Sequence, residues 1–399
     1  MNIVVQKYGG TSVNSKKKRE KIIINAKEAL LEGLSPVIVV SAMGRYPDPY
    51  STDTLLSLLP DVNDTDIRSR DMLSSVGEVI SAVIVSEELR HSGMNSVALN
   101  GGQAGILTDD SFGEGEILSI DTKLLKKYID SGIIPVVAGF QGINVNSDIL
   151  TLGRGGSDIT AAALGGALNA AMIEIFTDVD GVMTADPNVV ESAELIDTIE
   201  YDDVFRLAEY GAKVIHPRAV SHAMNANVPV AVLNINNKRN AQHTIISDAG
   251  DIPRGRSAFS AVTSIDKCSQ VVITFSDMKK EDAMFKLLAE NSISLDMINI
   301  FADRKVFIIS SGMDGRIKSI IDELNLEYTV RSGFSKITVV GSYIVGVPGI
   351  IAKIIAALYS NEIPVFQSSD SSNTISVLVQ SEKSQQAVNI LHDALIKSR

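Results

Sequence analysis

The sequence predicts an α/β protein, with a mainly parallel sheet covered on both faces by helices and two smaller α+β units after it. Three observations carry that prediction. Short β-branched runs alternate with helix-like stretches up to Asn240, the texture changes after that residue, and a βαββα order then occurs twice.

In the first part, Ile3–Gln6, Pro36–Ser41, Ser96–Leu99 and Ile133–Ala138 are apolar without clean alternation, as strands buried on both faces are. Between them, 17–32, 68–91, 122–131 and 158–168 carry apolar residues at three- and four-residue spacing and predict helices. Ligands of such sheets bind beyond the carboxyl ends of the strands. The polar stretch 242–255, with Gly250, Pro253 and Gly255, reads as a linker or surface excursion.

The first C-terminal unit reads as strands 262–265 and 270–274, helix 280–290, strands 294–300 and 305–310, and helix 315–324. The second reads as strand 336–340, helix 349–361, strands 364–369 and 374–380, and helix 383–396. A repeat about 70 residues apart suggests duplicated small domains packed on each other. The expected domains are therefore 1–241, a linker 242–260, 261–332 and 333–399.

A chain of 399 residues exceeds one ordinary core, and its 45% apolar and 21% charged content is that of a globular protein. A net charge of -12 argues against wrapping nucleic acid. Cys268 is the only cysteine, which excludes an internal disulfide and a clustered thiolate metal site. The start lacks a targeting pattern, and no apolar run approaches the roughly 18 residues that cross a bilayer. A cytoplasmic, non-membrane protein is the expectation.

Four clusters carry the chemistry. Lys7-Tyr8-Gly9-Gly10-Thr11-Ser12 follows the first strand, where paired glycines let backbone N–H groups approach an oxyanion and Lys7 adds a point charge. It fits neither the Walker A nor the dinucleotide pattern, and a tight turn with a surface lysine is the bland alternative. Gly153-Arg154-Gly155-Gly156-Ser157-Asp158 opens a helix that Ser157 or Asp158 is suited to cap. Its glycines expose donors to an anion, and Arg154 offers a fork for carboxylate or phosphate. Thr177, Asp178 and Asp180, with Asp186 beyond them, suit Mg²⁺ or nucleotide hydroxyls, or form only an acidic turn. Gly211–Arg218 places Lys213 before a Pro-marked break, and His216 has no acidic partner that would make it a base. No histidine set suggests a metal site. Each cluster is weak alone, and their order along one sheet edge is what gives them weight.

KYGGTSV at 7–13 closely resembles the opening motif of aspartate kinases, members of the amino-acid kinase superfamily. The resemblance continues through VVSAMGR (39–45), Ser51-Thr52-Asp53, SVGE (75–78), 103–108, GRGGSD (153–158), FTDVDGV (176–182), TADP (184–187) and GAKVIHPRA (211–219). VGVPGIIAKIIAAL (345–358) and QSSDSSNTISVLV (367–379) resemble the second of that family's paired regulatory ACT domains. The monofunctional bacterial type is the nearest pattern. The implied fold is a three-layer α/β/α kinase domain followed by two ferredoxin-like ACT domains.

The resemblance implies transfer of the γ-phosphoryl group of Mg-ATP to the β-carboxylate of L-aspartate, giving L-4-aspartyl phosphate on the way to lysine or diaminopimelate, methionine and threonine. It assigns Lys7 to phosphate charge and Asp158 to organising Lys7. Arg154 would grip the substrate α-carboxylate and Glu78 its ammonium, with Thr52 and Ser157 beside them. Tyr8, Gly9, Gly10, Ser12, Ser41 and Gly44 fall to the phosphate path, and Thr177, Asp178, Asp180, Asp186 and Lys213 to the nucleotide. It implies no dedicated protein metal site. A regulatory amino acid (lysine, threonine or meso-diaminopimelate) would meet Asp296, Met297, Asn299, Val347, Gly349, Ile350, Gln367, Ser369 and Asp370. A homodimer through the ACT domains is implied too.

Two positions depart from the family pattern. Asn188 stands where Arg often follows TADP, which bears on nucleotide contacts, and Asn373 stands where a threonine is common, which bears on the effector. Another amino-acid kinase, acting on glutamate, N-acetylglutamate or a nucleoside monophosphate, and a silent amino-acid sensor on the same fold are the competing readings. Glu78 and the paired ACT-like units argue against the first, and intact Lys7, Arg154 and Asp158 against the second.

Overall fold

The computed structural model describes all residues except 1, 63, 212–214, 249–258, 275–277, 342–343, 345–347 and 398–399. The chain forms two compact units. One comprises 1–182, 195–208 and 213–253, and the other 183–194, 209–212 and 254–399.

The first unit is built on an eight-stranded sheet. Its spatial order is Thr198–Glu200, Thr244–Ser247, Val230–Asn234, Met172–Thr177, Asn2–Tyr8, Leu34–Val40, Ile134–Ala138 and Ser96–Leu99. Every pairing is parallel except that between Val230–Asn234 and Thr244–Ser247. Asn2–Tyr8 lies between the two halves of the sheet. Tyr8 is in register with Val40 on one side and Phe176 on the other, and Asn234 with Thr177. The loops that leave these strands therefore gather at a switch point, where parallel sheets bind ligands.

In this unit the expected strands and helices appear within about two residues, with one exception. The helix expected over 68–91 is two helices, Ile67–Ser74 and Val76–His91, divided at Ser75. Helices Lys16–Leu31 and Val76–His91 bury Ile22, Ala26, Val85 and Leu89 against Tyr8, Ile38, Val136 and Phe176. On the opposite face, helix Gly156–Ala167 comes so close that a Cβ on Gly165 would enter the Ile173 side chain. A separate four-stranded sheet, Ile117–Ile120, Ile106–Thr108, Gln141–Ile143 and Ile149–Thr151, was not foreseen.

The second unit has one six-stranded sheet, in the order Asp296–Ile300, Arg304–Ser310, Ala261–Thr274, Glu327–Val340, Thr374–Gln380 and Gln367–Asp370. Its two middle strands are 14 residues each. Strands expected separately at 262–265 and 270–274 are one strand with register shifts around Cys268. The expected boundary between 332 and 333 falls inside Glu327–Val340. The outer half of that strand pairs with 268–274 and its inner half with 261–265 and Thr374–Gln380. The segment 183–194 packs in this unit as well. Ala185 and Val190 share a core with Ile354 and Leu391, and the Thr184 hydroxyl lies 2.9 Å from His392 Nε2.

Beneath the central strands of the first unit, Glu174 is buried. It accepts hydrogen bonds from Gln6 Nε2 (2.9 Å) and from the Arg239 guanidinium, which also pairs with Glu32. Replacing Glu174 with Ala leaves a largely enclosed guanidinium with only its outer partner. The expected loss is about 3 kcal/mol in urea unfolding, and a loss under 1 kcal/mol would contradict this account.

Candidate active site

Lys7 and Asp158 form the centre of the site. Strand Asn2–Tyr8 delivers Lys7 at its end, helix Gly156–Ala167 presents Asp158 in its first turn, and Lys7 Nζ stands 2.5 Å from Asp158 Oδ1. The cap expected from Ser157 or Asp158 is not made. The N-cap of the helix is Gly155 at φ +72°, with no side-chain hydrogen bond, so Asp158 is left to Lys7. The uncapped first-turn N–H groups and the helix dipole favour an anion there.

The Lys7 loop lies tightly against the loop after strand Leu34–Val40. Gly44 N donates to Gly10 O (3.0 Å) and Ser41 N to Tyr8 O (3.1 Å). A Cβ on Gly10 would stand 2.7 Å from Ala42 O, so only glycine allows this approach. Tyr8 itself is fully buried and stacked on Phe176 with centroids 4.7 Å apart, and Ser12 is buried as well. Of these two, the structure leaves Tyr8 only backbone atoms to offer a ligand.

A cavity of about 670 Å³ opens over this centre. Of the expected site residues it is lined by Lys7, Gly10, Ser41, Gly44, Thr52, Glu78, Arg154, Ser157 and Asp158. Ser51 caps the short helix Thr52–Leu56 and thereby sets Thr52. Glu78 is buried in the first turn of Val76–His91, with Oε1 accepting from Ala42 N at 3.0 Å and Oε2 without a partner. Burial pushes its carboxyl up from 4.5 to about 8. A buried, half-satisfied carboxyl facing a cavity is suited to an arriving cation.

Three further residues line or brace the cavity that sequence reasoning passed over. Asp71 is buried and accepts from Gly113 N (2.8 Å), Thr151 N (2.8 Å) and Thr151 Oγ1 (2.9 Å), tying helix Ile67–Ser74 to strand Ile149–Thr151. Arg218 donates to Leu152 O (2.8 Å) and Gly115 O (2.9 Å), and so supports the loop that carries Arg154. Arg70 lines the cavity too. His216 packs on Gly155, where a Cβ would enter its ring, and burial pushes its pKa down. It caps its own helix through Nδ1, so its part is structural. The GAKVIHPR motif foreshadowed Arg218, but nothing in the spacing marked the backbone carbonyls it reaches.

The nucleotide-side residues do not line this cavity. Thr177 and Asp178 sit at the end of strand Met172–Thr177, Thr177 Oγ1 donating to Asp178 Oδ1 at 3.2 Å. Asp180 accepts from Asn234 and Asn237, each at 2.9 Å. Asp186 lies in the second unit and accepts from the Asn188 backbone and side chain, both at 2.9 Å, so the amide that replaces the family's arginine folds back into its own turn. Lys213 lies outside the described residues. Among the described residues no group of three His, Cys, Asp or Glu is placed to hold a metal. Carboxylates of this kind fit a magnesium ion carried largely by phosphates, which needs only one or two protein ligands.

In the second unit the structure joins four of the expected effector residues. Gln367 Nε2 donates to Asn299 Oδ1 (2.7 Å) and to Met297 O, and Gln270 Nε2 donates to Gln367 Oε1 (3.0 Å). Asp296 pairs with Lys336, whose buried ammonium also faces the Tyr210 ring at 4.2 Å. Gly349 (φ +91°) and Ile350 begin helix Ile350–Tyr359, and Ser369 and Asp370 end an edge strand. Among the described residues, no side-chain hydrogen bond joins those four residues to the Gln367 network. Val347 lies outside the described residues. No helix of the described residues is long and apolar enough to cross a membrane.

Comparison with known proteins gives this arrangement a family. The model of the amino acid kinase family matches residues 2–234, and an ACT domain model matches 329–393. Aspartokinase 1 of Bacillus subtilis is 40% identical over 406 aligned residues spanning 100% of both chains. The aspartokinase of Geobacillus stearothermophilus is 34% identical, over 99% of this chain and 97% of its own. Among solved structures, E. coli aspartokinase III with aspartate and ADP superposes with a TM-score of 0.81 at 24% identity, covering 99% of this chain and 100% of that one. The same enzyme with lysine and aspartate gives 0.76 at 25% identity, covering 99% of both. A kinase fold joined to an ACT domain, and full-length identity of this order, show that the chain belongs to the aspartokinase family.

Proposed function

We propose that the cavity over Lys7 and Asp158 binds L-aspartate with its β-carboxylate toward the γ-phosphate of Mg-ATP, and that transfer proceeds by positioning and charge compensation. The observation that carries this is the Lys7–Asp158 pair at the sheet's switch point, within one cavity with Glu78 and Arg154. A carboxylate is ionised at neutral pH and needs no general base. A β-carboxylate oxygen attacks the γ-phosphorus, the bond to the β–γ bridging oxygen breaks, and ADP leaves with that electron pair. The barrier is the approach of two anions, which Lys7, the first-turn N–H groups of Gly156–Ala167 and the loop at Gly9 and Gly10 offset. Magnesium supplies further neutralisation on the phosphates. Asp158 positions Lys7, Arg154 takes the α-carboxylate and Glu78 the ammonium. Thr177, Asp178, Asp180 and Lys213 serve the nucleotide. The kinase domain is proposed as 1–241, apart from 183–194 and 209–212, which the structure groups with the C-terminal unit.

The second unit is read as regulatory. E. coli aspartokinase III has been solved with lysine bound together with aspartate, and the Asp296–Asn299–Gln367 cluster supports an amino-acid effector here. Lysine, threonine and meso-diaminopimelate are the candidates. The edge strand Asp296–Ile300 exposes Ile298 and Ile300, with Phe301 beyond, which supports a homodimer through edge pairing.

Three outcomes are expected. Replacing Lys7 with Ala should lower kcat for acyl phosphate, trapped as the hydroxamate, by about 10²–10³-fold with far smaller changes in KM. A loss under tenfold would sink its assigned role. Because Glu78 must ionise to hold an ammonium, KM for aspartate should fall close to tenfold per pH unit as pH rises toward 8 and then level. Glu78→Gln should raise KM and abolish that slope, and a flat wild-type profile would speak against the assignment. Finally, Ile300→Lys should shift the protein from dimer to monomer in sedimentation velocity, and a wild-type monomer would rule the dimer out.

A further inference from the structure

The roles proposed above leave one cation of the cavity unused. Arg70 lines it, yet its side chain makes no ion pair or hydrogen bond among the described residues, and the same holds for Arg154. The neighbouring carboxylates are otherwise engaged. Asp71 is saturated by Gly113 and Thr151, and Asp158 is taken by Lys7. Arg70 is half-buried, and an unpaired guanidinium partly removed from water is costly unless a ligand completes it.

The placement of Arg70 indicates the ligand's source. Arg70, Ser74 and Glu78 follow at four-residue spacing through the joint at Ser75, and all three line the cavity. Helix Thr52–Leu56, which carries Thr52, packs on the helix of Arg70. None of Thr177, Asp178 or Asp180 lines this space. Arg70 thus keeps company with the aspartate side of the site. With Asp158 paired to Lys7 and Asp71 held by backbone and hydroxyl donors, Arg70 and Arg154 are the cations of the cavity left open to a substrate carboxylate.

We propose that Arg70 is a substrate-binding residue that joins Arg154 in gripping the α-carboxylate of L-aspartate. The proposal rests on the reading of the cavity as the aspartate site. Two guanidinium forks on one carboxylate fix its plane as well as its charge. The arrangement selects amino acids with a free α-carboxylate, while Lys7 attends to the reacting end.

The test compares L-aspartate with its α-amide, which keeps the β-carboxylate and the ammonium. With Arg70→Gln, KM for L-aspartate should rise about 10- to 100-fold, with KM for ATP and kcat within about twofold. With the α-amide, Arg70→Gln and wild type should agree within about twofold, because the group that Arg70 would grip is missing. Arg70→Lys should fall between, keeping the charge but losing the fork. A thermal melt of each variant checks folding, and Arg70→Lys supplies the test if Arg70→Gln does not fold. An unchanged KM for aspartate would overturn the proposal. So would an equal penalty on the α-amide, or a rise in KM for ATP instead, which would place Arg70 on phosphate. Absence of wild-type turnover on aspartate would instead remove the aspartate reading, and Arg70's role with it.

Discussion

The site depends on one ion pair, Lys7 with Asp158. It joins the end of the central strand to the first turn of the helix whose N–H groups face the same space, so the strand, the helix and the anion site are set together. Several glycines serve that closeness. Gly10 lets two loops meet at backbone distance, and Gly155 takes the left-handed turn that starts the helix without a side-chain cap. Had Asp158 capped the helix, Lys7 would have lost its partner, and a side-chain cap from either Ser157 or Asp158 would have partly filled the first-turn donors.

Around this centre, carboxylates do different work according to their surroundings. Asp71 is buried but saturated by three donors and acts as a brace. Glu78 is buried and half satisfied, and burial raises its pKa. Asp180 is held by two asparagine amides. In the second unit, the buried Lys336 pairs with the exposed Asp296 near the effector candidates. Thr184 and His392 anchor the TADP segment to the C-terminal helix. The TADP segment is therefore built into the same core as the ACT-like fold.

Much of this was legible from residue pattern. Buried parallel strands are continuous apolar runs, so Asn2–Tyr8, Leu34–Val40, Ser96–Leu99 and Ile134–Ala138 were visible. The outer half of Glu327–Val340 was missed although Tyr328 and Val330 alternate with Glu327, Thr329 and Arg331: the apolar pattern stops at Arg331-Ser332-Gly333, and pairing with 268–274 makes this half continuous with the inner one. The break at Ser75 lacks glycine or proline, and helical periodicity runs through it. Lys7 and Arg154 stood out as cations within glycine-rich loops, and Glu78 was found through motif resemblance. Asp71 and Arg70 sit in a segment that looks like ordinary helix surface, and only the fold shows Asp71 and Arg218 bound to distant backbone and Arg70 facing the cavity.

The central claim is that catalysis here is charge compensation without a general base. The most direct measurement is kcat against pH with aspartate and Mg-ATP both saturating. A level profile from about pH 6 to 9 is predicted, since the nucleophile is already ionised and bound ammonium keeps Glu78 charged. A limb that rises or falls with a titration inside that range would reveal a proton transfer in the chemical step and contradict the account.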